Sequence, residues 1–163
     1  MSNSDQSLNV TGGVVRIANE SDASQLMKLY RELNPDDPVI PLATFTEHLK
    51  SIVTSKNNIV FVLEVGGNLV SSCYLNVIPN LSRNLASYAT LENVVTHEPF
   101  RRRSYGTTVV KYALDTAWAR GCYKVMLQTG SKNQSKHLFY QKCGFKQGEK
   151  LGFIAKNDPG QAA

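Results

Sequence analysis

Three consecutive arginines and a turn of small residues stand directly before a helical pattern in this sequence. The arginines run from Arg101 to Arg103, and Ser104, Tyr105 and Gly106 follow them. The first N–H groups of a helix have no acceptor within the helix, and the helix dipole is positive at that end. Small residues let an anion approach this backbone, and arginines add charge-assisted hydrogen bonds. The segment therefore indicates a phosphate site, although a solvated turn explains the same composition.

The distribution of charge also favours an anionic ligand for the C-terminal part of the chain. Residues 1–100 contain 6 Lys and Arg against 10 Asp and Glu, whereas residues 101–163 contain 12 against 3. Such a basic region attracts a polyanion, which would be nucleic acid, a phosphorylated cofactor or a membrane surface. A solvated basic face is the alternative. The Walker pattern G-x-x-x-x-G-K-[ST] and the dinucleotide pattern G-x-G-x-x-G are both absent.

Composition limits the class of protein. A chain of 163 residues with 42% hydrophobic and 19% charged residues fits one folded domain with its own core. Cys73, Cys122 and Cys143 are an odd number without metal-like spacing, so we expect reduced, mostly buried thiols and no metal. The N-terminus lacks the regions of a signal peptide, and no apolar run approaches the ~20 residues of a membrane span. We expect a cytoplasmic protein without a membrane partner.

Hydrophobic periodicity gives the elements that must position the arginine loop. The predicted helices cover residues 19–33, 42–55, 104–119 and 132–143, and the predicted strands cover 14–18, 58–65, 69–78, 85–97 and 122–129. One or two further strands are expected within 145–156. Antiparallel hairpins come first, and the later strand–helix–strand order requires parallel neighbours. We predict an α/β (mixed α+β) fold with one domain over 13–157 and flexible tails at 1–12 and 158–163.

Three motifs occur in the order that is typical of the GCN5-related N-acetyltransferases, the GNAT superfamily. Arg101–Gly106 resembles the family pattern [R/Q]-x-x-G-x-[G/A], with Ser104 at the first glycine. Asn133–Phe145 resembles N-x-x-A-x-x-F-Y-x-x-x-G-F, with Lys136 at a position where a small residue is usual. The segment Leu91–Arg101 resembles the strand and turn that precede the first pattern. Their order and separation, rather than any single motif, make the resemblance specific.

The resemblance extends over about residues 14–156 and implies a fold. That fold is a GNAT-type mixed, mostly antiparallel central sheet of six to seven strands, with helices on both faces. Its hallmark is a parallel strand pair that splays apart, here the strands over 91–97 and 122–129. Acetyl-CoA would bind in this opening as a co-substrate.

The resemblance also implies which residues hold acetyl-CoA. Backbone groups of the first strand would pair with the pantetheine arm, and N–H groups of the arginine loop would hold the pyrophosphate. Because Ser104 carries a Cβ, we expect the turn to keep a conformation of ordinary L-residues, with binding retained. Asn133 would bond the cofactor arm, cap its helix, or do both. The implied cofactor-binding residues are Val94, Val95, Thr96, Arg101, Arg102, Arg103, Ser104, Tyr105, Gly106, Thr107, Asn133 and Tyr140.

The implied chemistry is direct acyl transfer from a thioester to an amine. Tyr140 matches the general acid of the family, and a phenol with a pKa of ~10 suits protonation of a thiolate. Glu92 is the candidate base for the amine proton, and a backbone N–H near Val95 would bind the oxyanion. The structural alternatives are a half-buried helix aromatic for Tyr140 and a strand-edge charge for Glu92.

The sequence thus predicts an N-acetyltransferase that acts on a primary amine of a small molecule. The alternatives are a protein or peptide N-acetyltransferase and a CoA-binding sensor without catalysis. A nucleic-acid partner is not expected, because interleaved aromatic residues and a known binding motif are missing. The acceptor pocket would involve segments 34–45 and 78–88. Dimerisation, which is common in the family, is left open by the sequence.

Overall fold

The computed structural model describes residues 8–10 and 12–157. The chain divides into two compact units, residues 1–130 and residues 131–163. The first unit contains all the elements except the last: β1 (Leu8–Val10), β2 (Gly13–Ile17), α1 (Ala23–Leu33), α2 (Leu42–Val53), β3 (Asn58–Val65), β4 (Asn68–Ile78), β5 (Tyr88–Thr96), α3 (Tyr105–Ala119) and β6 (Val125–Met126). The second unit contains α4 (Gln134–Lys142).

The strands form a single sheet in the order β1-β2-β3-β4-β5-β6. The pairs from β1 to β5 are antiparallel, and β5 and β6 are parallel. Gly66 and Gly67 form the hairpin turn between β3 and β4, with φ values of +55° and +79° that suit glycine. The predicted mixed, mostly antiparallel sheet with one parallel pair is therefore confirmed.

Helices cover both faces of this sheet because its central strands are hydrophobic on both sides. On one face, Val60 and Val62 of β3 form a buried cluster with Leu26 of α1 and Leu49 of α2. The intervening Phe61 points to the other face, where its ring lies 5.4 Å from that of Tyr112 on α3. Side chains alternate across a strand, so one continuous apolar run fills both layers.

Two expectations about the N-terminal half are wrong in detail. Residues 8–10 lie in the predicted flexible tail but form β1, because Gly12, with a φ of +85°, lets the chain reverse and Val10 pair with Gly13. The strand predicted from residue 85 begins only at Tyr88, since Leu85 has a φ of +62° that excludes it from a strand. The remainder of the predicted tails, residues 1–7, 11 and 158–163, lies outside the described residues.

The C-terminal strands are also shorter or fewer than expected. Of the strand predicted over 122–129, only Val125–Met126 pairs in the sheet. Residues 145–156 form no strand in the described part of the second unit, in agreement with their weak alternation of apolar and polar residues. The four helices lie where the periodicity predicted them, within a few residues at each end.

A partly buried ionic cluster joins the entry of α1 to the sheet. Arg16 on β2 donates to both carboxylate oxygens of Asp22 at 2.7 and 2.8 Å, and to Glu64 on β3 at 2.9 Å. Asp22 is 4% exposed and also accepts the backbone N–H of Asn19 at 2.8 Å, as in a capping box. The hydrogen bonds that Arg16 donates to Asp22 raise the pKa of the Arg16 guanidinium above its usual value, and the hydrogen bond to Glu64 raises it further. The Arg16 guanidinium therefore keeps its charge at physiological pH.

We expect Asp22→Asn to lower the free energy of unfolding by about 2–3 kcal/mol, measured by urea denaturation. Loss of one partner leaves a charge with little solvent access, and the partial exposure of Arg16 moderates the loss. Glu20→Gln is the control, because it removes only the exposed ion pair with Lys50 at 3.7 Å. That variant should change stability by less than about 0.5 kcal/mol. Equal losses in the two variants would contradict a special role for the cluster.

Candidate active site

A bulge interrupts β5 in the middle of the sheet. Tyr74 of β4 pairs with Glu92, and Ser72 pairs with Val95, so two residues of β5 lie opposite one residue of β4. Asn93, the first of the two, has a φ of +51°. Asparagine tolerates this left-handed conformation better than most residues, and such bulges bend a strand and redirect its side chains. The bulge turns the backbone of β5 at the position of the predicted acetyl site.

The pairing of the two parallel strands ends just before this bulge. β6 pairs with β5 only at Ala89↔Val125 and Thr90↔Met126. In the described chain, no strand pairs with the outer edge of β5 from Leu91 to Thr96. An edge of this kind can accept an extended chain as if it were another strand. Val94, Val95 and Thr96, the predicted partners of the pantetheine arm, all belong to it.

The end of this edge is held in place from β4. The hydroxyl of Ser71, which is fully buried, donates to the carbonyl of Val95 at 2.8 Å and lies 2.9 Å from the hydroxyl of Thr96. Val95 is itself part of the buried cluster against α1 and α2. The backbone at this end of the strand is therefore fixed before any ligand binds.

The arginine loop ends at a helix terminus, as predicted. The first backbone bond of α3 runs from the N–H of Thr108 to the carbonyl of Ser104 at 2.9 Å. The N–H groups of Tyr105, Gly106 and Thr107 therefore have no acceptor within the helix. Ser104 is the N-cap residue, but its side chain makes no capping hydrogen bond. These backbone donors, together with the positive end of the helix dipole, can hold an anion.

The expected conformation of Ser104 is wrong. Its φ of +63° and ψ of +2° lie in the left-handed region, and Arg102 has the same φ of +63°. The chain must turn sharply from the loop into α3, and a left-handed residue makes this turn. A residue with a Cβ adopts this conformation at a cost of roughly 1–2 kcal/mol, which glycine would avoid. The loop is therefore strained where the family pattern has glycine.

The three arginines have different surroundings. Arg101 donates from Nε to the carbonyl of Thr96 at 3.0 Å, and its Nη2 lies 3.5 Å from the carboxylate of Glu32. The guanidinium of Arg103 lies over the ring of Phe100, 5.5 Å from the centroid. Arg102 is exposed. The side chain of Arg101 braces the loop, which leaves Arg102 and Arg103 as the candidates for contact with phosphates.

A cavity of about 370 Å³ lies beside the bulge. The predicted acceptor segment 34–45 contributes six of its eleven lining residues, whereas segment 78–88 contributes none. The cavity also involves α1 and Asn93, of which the sequence did not indicate Asn93. Its lining residues are Met27, Tyr30, Arg31, Leu33, Asn34, Asp37, Pro38, Val39, Ile40, Phe45 and Asn93.

Two tyrosines on the face of the sheet that carries α1 and α2 remain protonated. Burial raises the pKa of Tyr30, which lines the cavity, to about 12, and burial also raises the pKa of Tyr74. At physiological pH both phenols are hydrogen-bond donors and not bases. Glu92 lies directly opposite Tyr74, so it shares the face that carries α1 and α2. It is exposed and does not line the cavity, and its role as a base stays a prediction.

The remaining predicted residues lie in the second unit. The side-chain oxygen of Asn133 accepts the N–H of Ser135 at 2.9 Å, which confirms its expected role as an N-cap. Tyr140 is half-buried on α4, and its ring contacts those of Phe139 and Phe145 at centroid distances of 5.0 and 6.1 Å. Contact of Asn133 and Tyr140 with a cofactor stays a prediction.

The described residues contain no cluster of three or more His, Cys, Asp or Glu side chains that could hold a metal ion. Cys73, Cys122 and Cys143 are buried thiols, and burial raises the pKa of Cys122. None of the helices in residues 8–10 and 12–157 has the length and apolar character to cross a membrane.

Comparison with known proteins decides the family. The model of the Acetyltransferase (GNAT) family matches residues 24–145, which is most of the chain. The chain belongs to the GNAT family. This GNAT protein is therefore an acyl-CoA-dependent N-acetyltransferase with acetyl-CoA as its co-substrate, which confirms the predicted enzyme class.

Individual relatives support the assignment. One solved structure, from Agrobacterium tumefaciens str. C58, is described as that of an acetyltransferase. It is 39% identical to this chain, with a TM-score of 0.84. The similarity covers 88% of this GNAT chain and 99% of that one. The glucosamine 6-phosphate N-acetyltransferase of Trypanosoma brucei brucei is 28% identical over 140 residues, 83% of this chain and 90% of the relative. The structure of the Arabidopsis thaliana enzyme of that name, at 23% identity and a TM-score of 0.77, shares the fold, with 88% of this chain and 96% of that one covered.

We expect Ser104→Gly to raise the free energy of unfolding by about 1 kcal/mol in urea denaturation. Glycine adopts a φ of +63° without the clash of a Cβ, and the lost hydroxyl makes no capping bond. Ser104→Ala is the matched control, since it removes the hydroxyl but keeps the Cβ, and it should not stabilise the protein. A similar gain in both variants would show that the strain does not reside in the backbone.

Proposed function

We propose that this enzyme transfers the acetyl group of acetyl-CoA directly to a primary amine of a small molecule bound in the cavity beside Asn93. One observation carries the proposal. Asn93 belongs both to the unpaired edge of β5 and to the wall of the cavity. An acetyl group on a pantetheine arm along that edge would therefore lie next to an amine in the cavity.

The cofactor would be held at two places along the chain. The pantetheine arm would pair with backbone groups of β5 between Leu91 and Thr96, and the pyrophosphate would accept from the N–H groups at the start of α3. Arg102 and Arg103 would add charge to this second site. Only residues 97–104, which include the short helical turn Glu98–Phe100, join β5 to α3, so the two places lie close together along the chain.

The reaction would proceed by attack of the neutral amine on the thioester carbonyl. The new C–N bond forms a tetrahedral intermediate, and a backbone N–H near Val95 would stabilise its oxyanion. The intermediate then loses the CoA thiolate as the C–S bond breaks. Glu92, or a chain of water molecules, would take the proton from the amine. The thiolate would receive a proton from Tyr140, a role that rests on the motif alone.

The size of the cavity favours a small acceptor over a protein. A volume of about 370 Å³ lies within the range of small-molecule sites. Two related proteins are named glucosamine 6-phosphate N-acetyltransferases, which supports a small amine with an anionic group. Arg31 in the cavity wall offers a cation to such a group, and Asp37 offers a carboxylate to a cationic one.

The acceptor class can be tested by release of the CoA thiol with a panel of amines. The panel would contain glucosamine 6-phosphate, glucosamine, an amino acid, spermidine and a peptide with a free N-terminus. We expect turnover with one of the small amines, and a higher KM for it in Arg31→Gln if its anionic group binds there. Turnover with the peptide alone would favour the peptide N-acetyltransferase. Acetyl-CoA binding without turnover of any amine would favour a sensor.

We expect Tyr140→Phe to lower kcat by about 100-fold or more while the Kd for acetyl-CoA changes by less than about twofold. The phenol provides a proton to the leaving thiolate, and phenylalanine keeps the ring contacts of α4. Tyr123→Phe removes an exposed phenol elsewhere and should leave kcat unchanged. An unchanged kcat in Tyr140→Phe would assign this residue a structural role.

A further inference from the structure

Glu32 contacts three groups of the loop that joins β5 to α3. One of its oxygens accepts the backbone N–H of Glu98 at 3.0 Å and lies 3.5 Å from Nη2 of Arg101. The other oxygen pairs with Nδ1 of His97. Glu32 belongs to the last turn of α1, between the cavity residues Arg31 and Leu33. A single carboxylate thus holds the loop against the helix that forms the cavity wall.

These contacts continue toward the proposed phosphate site. The ring of His97 stacks on Phe100 with a centroid distance of 5.7 Å and an interplanar angle of 25°. Phe100 in turn lies under the guanidinium of Arg103 and 6.3 Å from the ring of Tyr105, the first residue of α3. The position of Glu32 is therefore transmitted to the residues that would hold the pyrophosphate.

We propose that Glu32 is a positioning residue for acetyl-CoA. It fixes residues 97–101 so that the N–H groups of α3 and the side chains of Arg102 and Arg103 are already in place when the pyrophosphate arrives. A site that is ordered in advance loses less conformational entropy on binding. This inference rests on the proposed cofactor site at the start of α3.

If Glu32 acted only through its charge, its removal would have the opposite effect on the binding of acetyl-CoA. A carboxylate near a loop that binds a polyanion repels the ligand, so its removal should tighten the binding of acetyl-CoA. The release of Arg101 from Glu32 would add to that gain. Weaker binding after removal of Glu32 can therefore be attributed to loss of order in the loop, and the sign of the change separates the two explanations.

The direct test is titration calorimetry and steady-state kinetics of Glu32→Gln, with folding checked by circular dichroism. We expect the Kd and KM for acetyl-CoA to rise roughly five- to tenfold, while kcat and the KM for the amine change by less than about twofold. The amine is unaffected because the side chain of Glu32 does not line the cavity. Unchanged or tighter binding of acetyl-CoA in Glu32→Gln would overturn the proposal.

Glu98→Gln is the matched charge control. It removes a negative charge from the same loop, its side chain is exposed, and it keeps the backbone N–H that Glu32 accepts. We expect its Kd for acetyl-CoA to be unchanged or lower. A rise equal to that in Glu32→Gln would also overturn the proposal, because Glu98→Gln leaves all the contacts of Glu32 with the loop in place.

Two further variants complete the test. His97→Gln should weaken acetyl-CoA binding. Its effect should not add to that of Glu32→Gln, because both variants remove the same contact between His97 and Glu32. Full additivity would contradict the coupling.

A double substitution of Arg102 and Arg103 by Gln tests the cofactor site separately. If this variant binds acetyl-CoA as well as the wild type does, the proposed phosphate site is wrong, whereas a failure of Glu32→Gln alone refutes only the positioning role.

Discussion

The early end of the β5–β6 pairing is the constraint on which the rest of the site depends. The two parallel strands share only two residue pairs, and β5 continues to Thr96 without a partner strand on that edge among the described residues. Within this stretch the bulge at Asn93 turns the backbone toward the cavity. In the proposed site, this one strand would set the line of the pantetheine arm and the place of the acetyl group, and the connection that follows it leads to the start of α3.

The connection between β5 and α3 combines backbone strain with ionic contacts. Arg102 and Ser104 both adopt left-handed conformations that cost free energy, and such conformations persist only where the surrounding structure determines them. Here the surrounding contacts come from Arg101 on the carbonyl of Thr96 and from Glu32 on α1. The loop thus combines a backbone shaped for an anion with a side-chain network that maintains this shape.

Much of the fold could be predicted from the sequence because its signals are local. The apolar run of β3 and the Gly66-Gly67 turn identify the central hairpin. The arginine pattern and the periodicity after it locate the start of α3, where the phosphate site is proposed. Short strands gave weaker signals: β6 is too short to show alternation, and β1 depends on the reversal at Gly12. The left-handed conformation of Leu85 could not be predicted, because leucine rarely adopts a positive φ.

The parts of the site that escaped prediction depend on contacts between distant residues. Glu32 and His97 are 65 positions apart, and no pattern in either segment indicates that they meet. The periodicity of α1 predicts that Tyr30 is buried, but it does not reveal that its hydroxyl-bearing ring lines a cavity with Asn93. An asparagine among the β-branched residues of β5 was the one local sign of the bulge, since asparagine favours left-handed backbone.

In the proposed site, the start of α3 binds the phosphates of acetyl-CoA while the edge of β5 binds its arm. The decisive measurement is titration calorimetry with acetyl-CoA and with S-acetylpantetheine, which lacks the nucleotide and its phosphates. We predict a Kd in the micromolar range for acetyl-CoA and binding at least about tenfold weaker for S-acetylpantetheine. Equal affinities, or no binding of acetyl-CoA, would contradict a phosphate site at Arg102–Thr107.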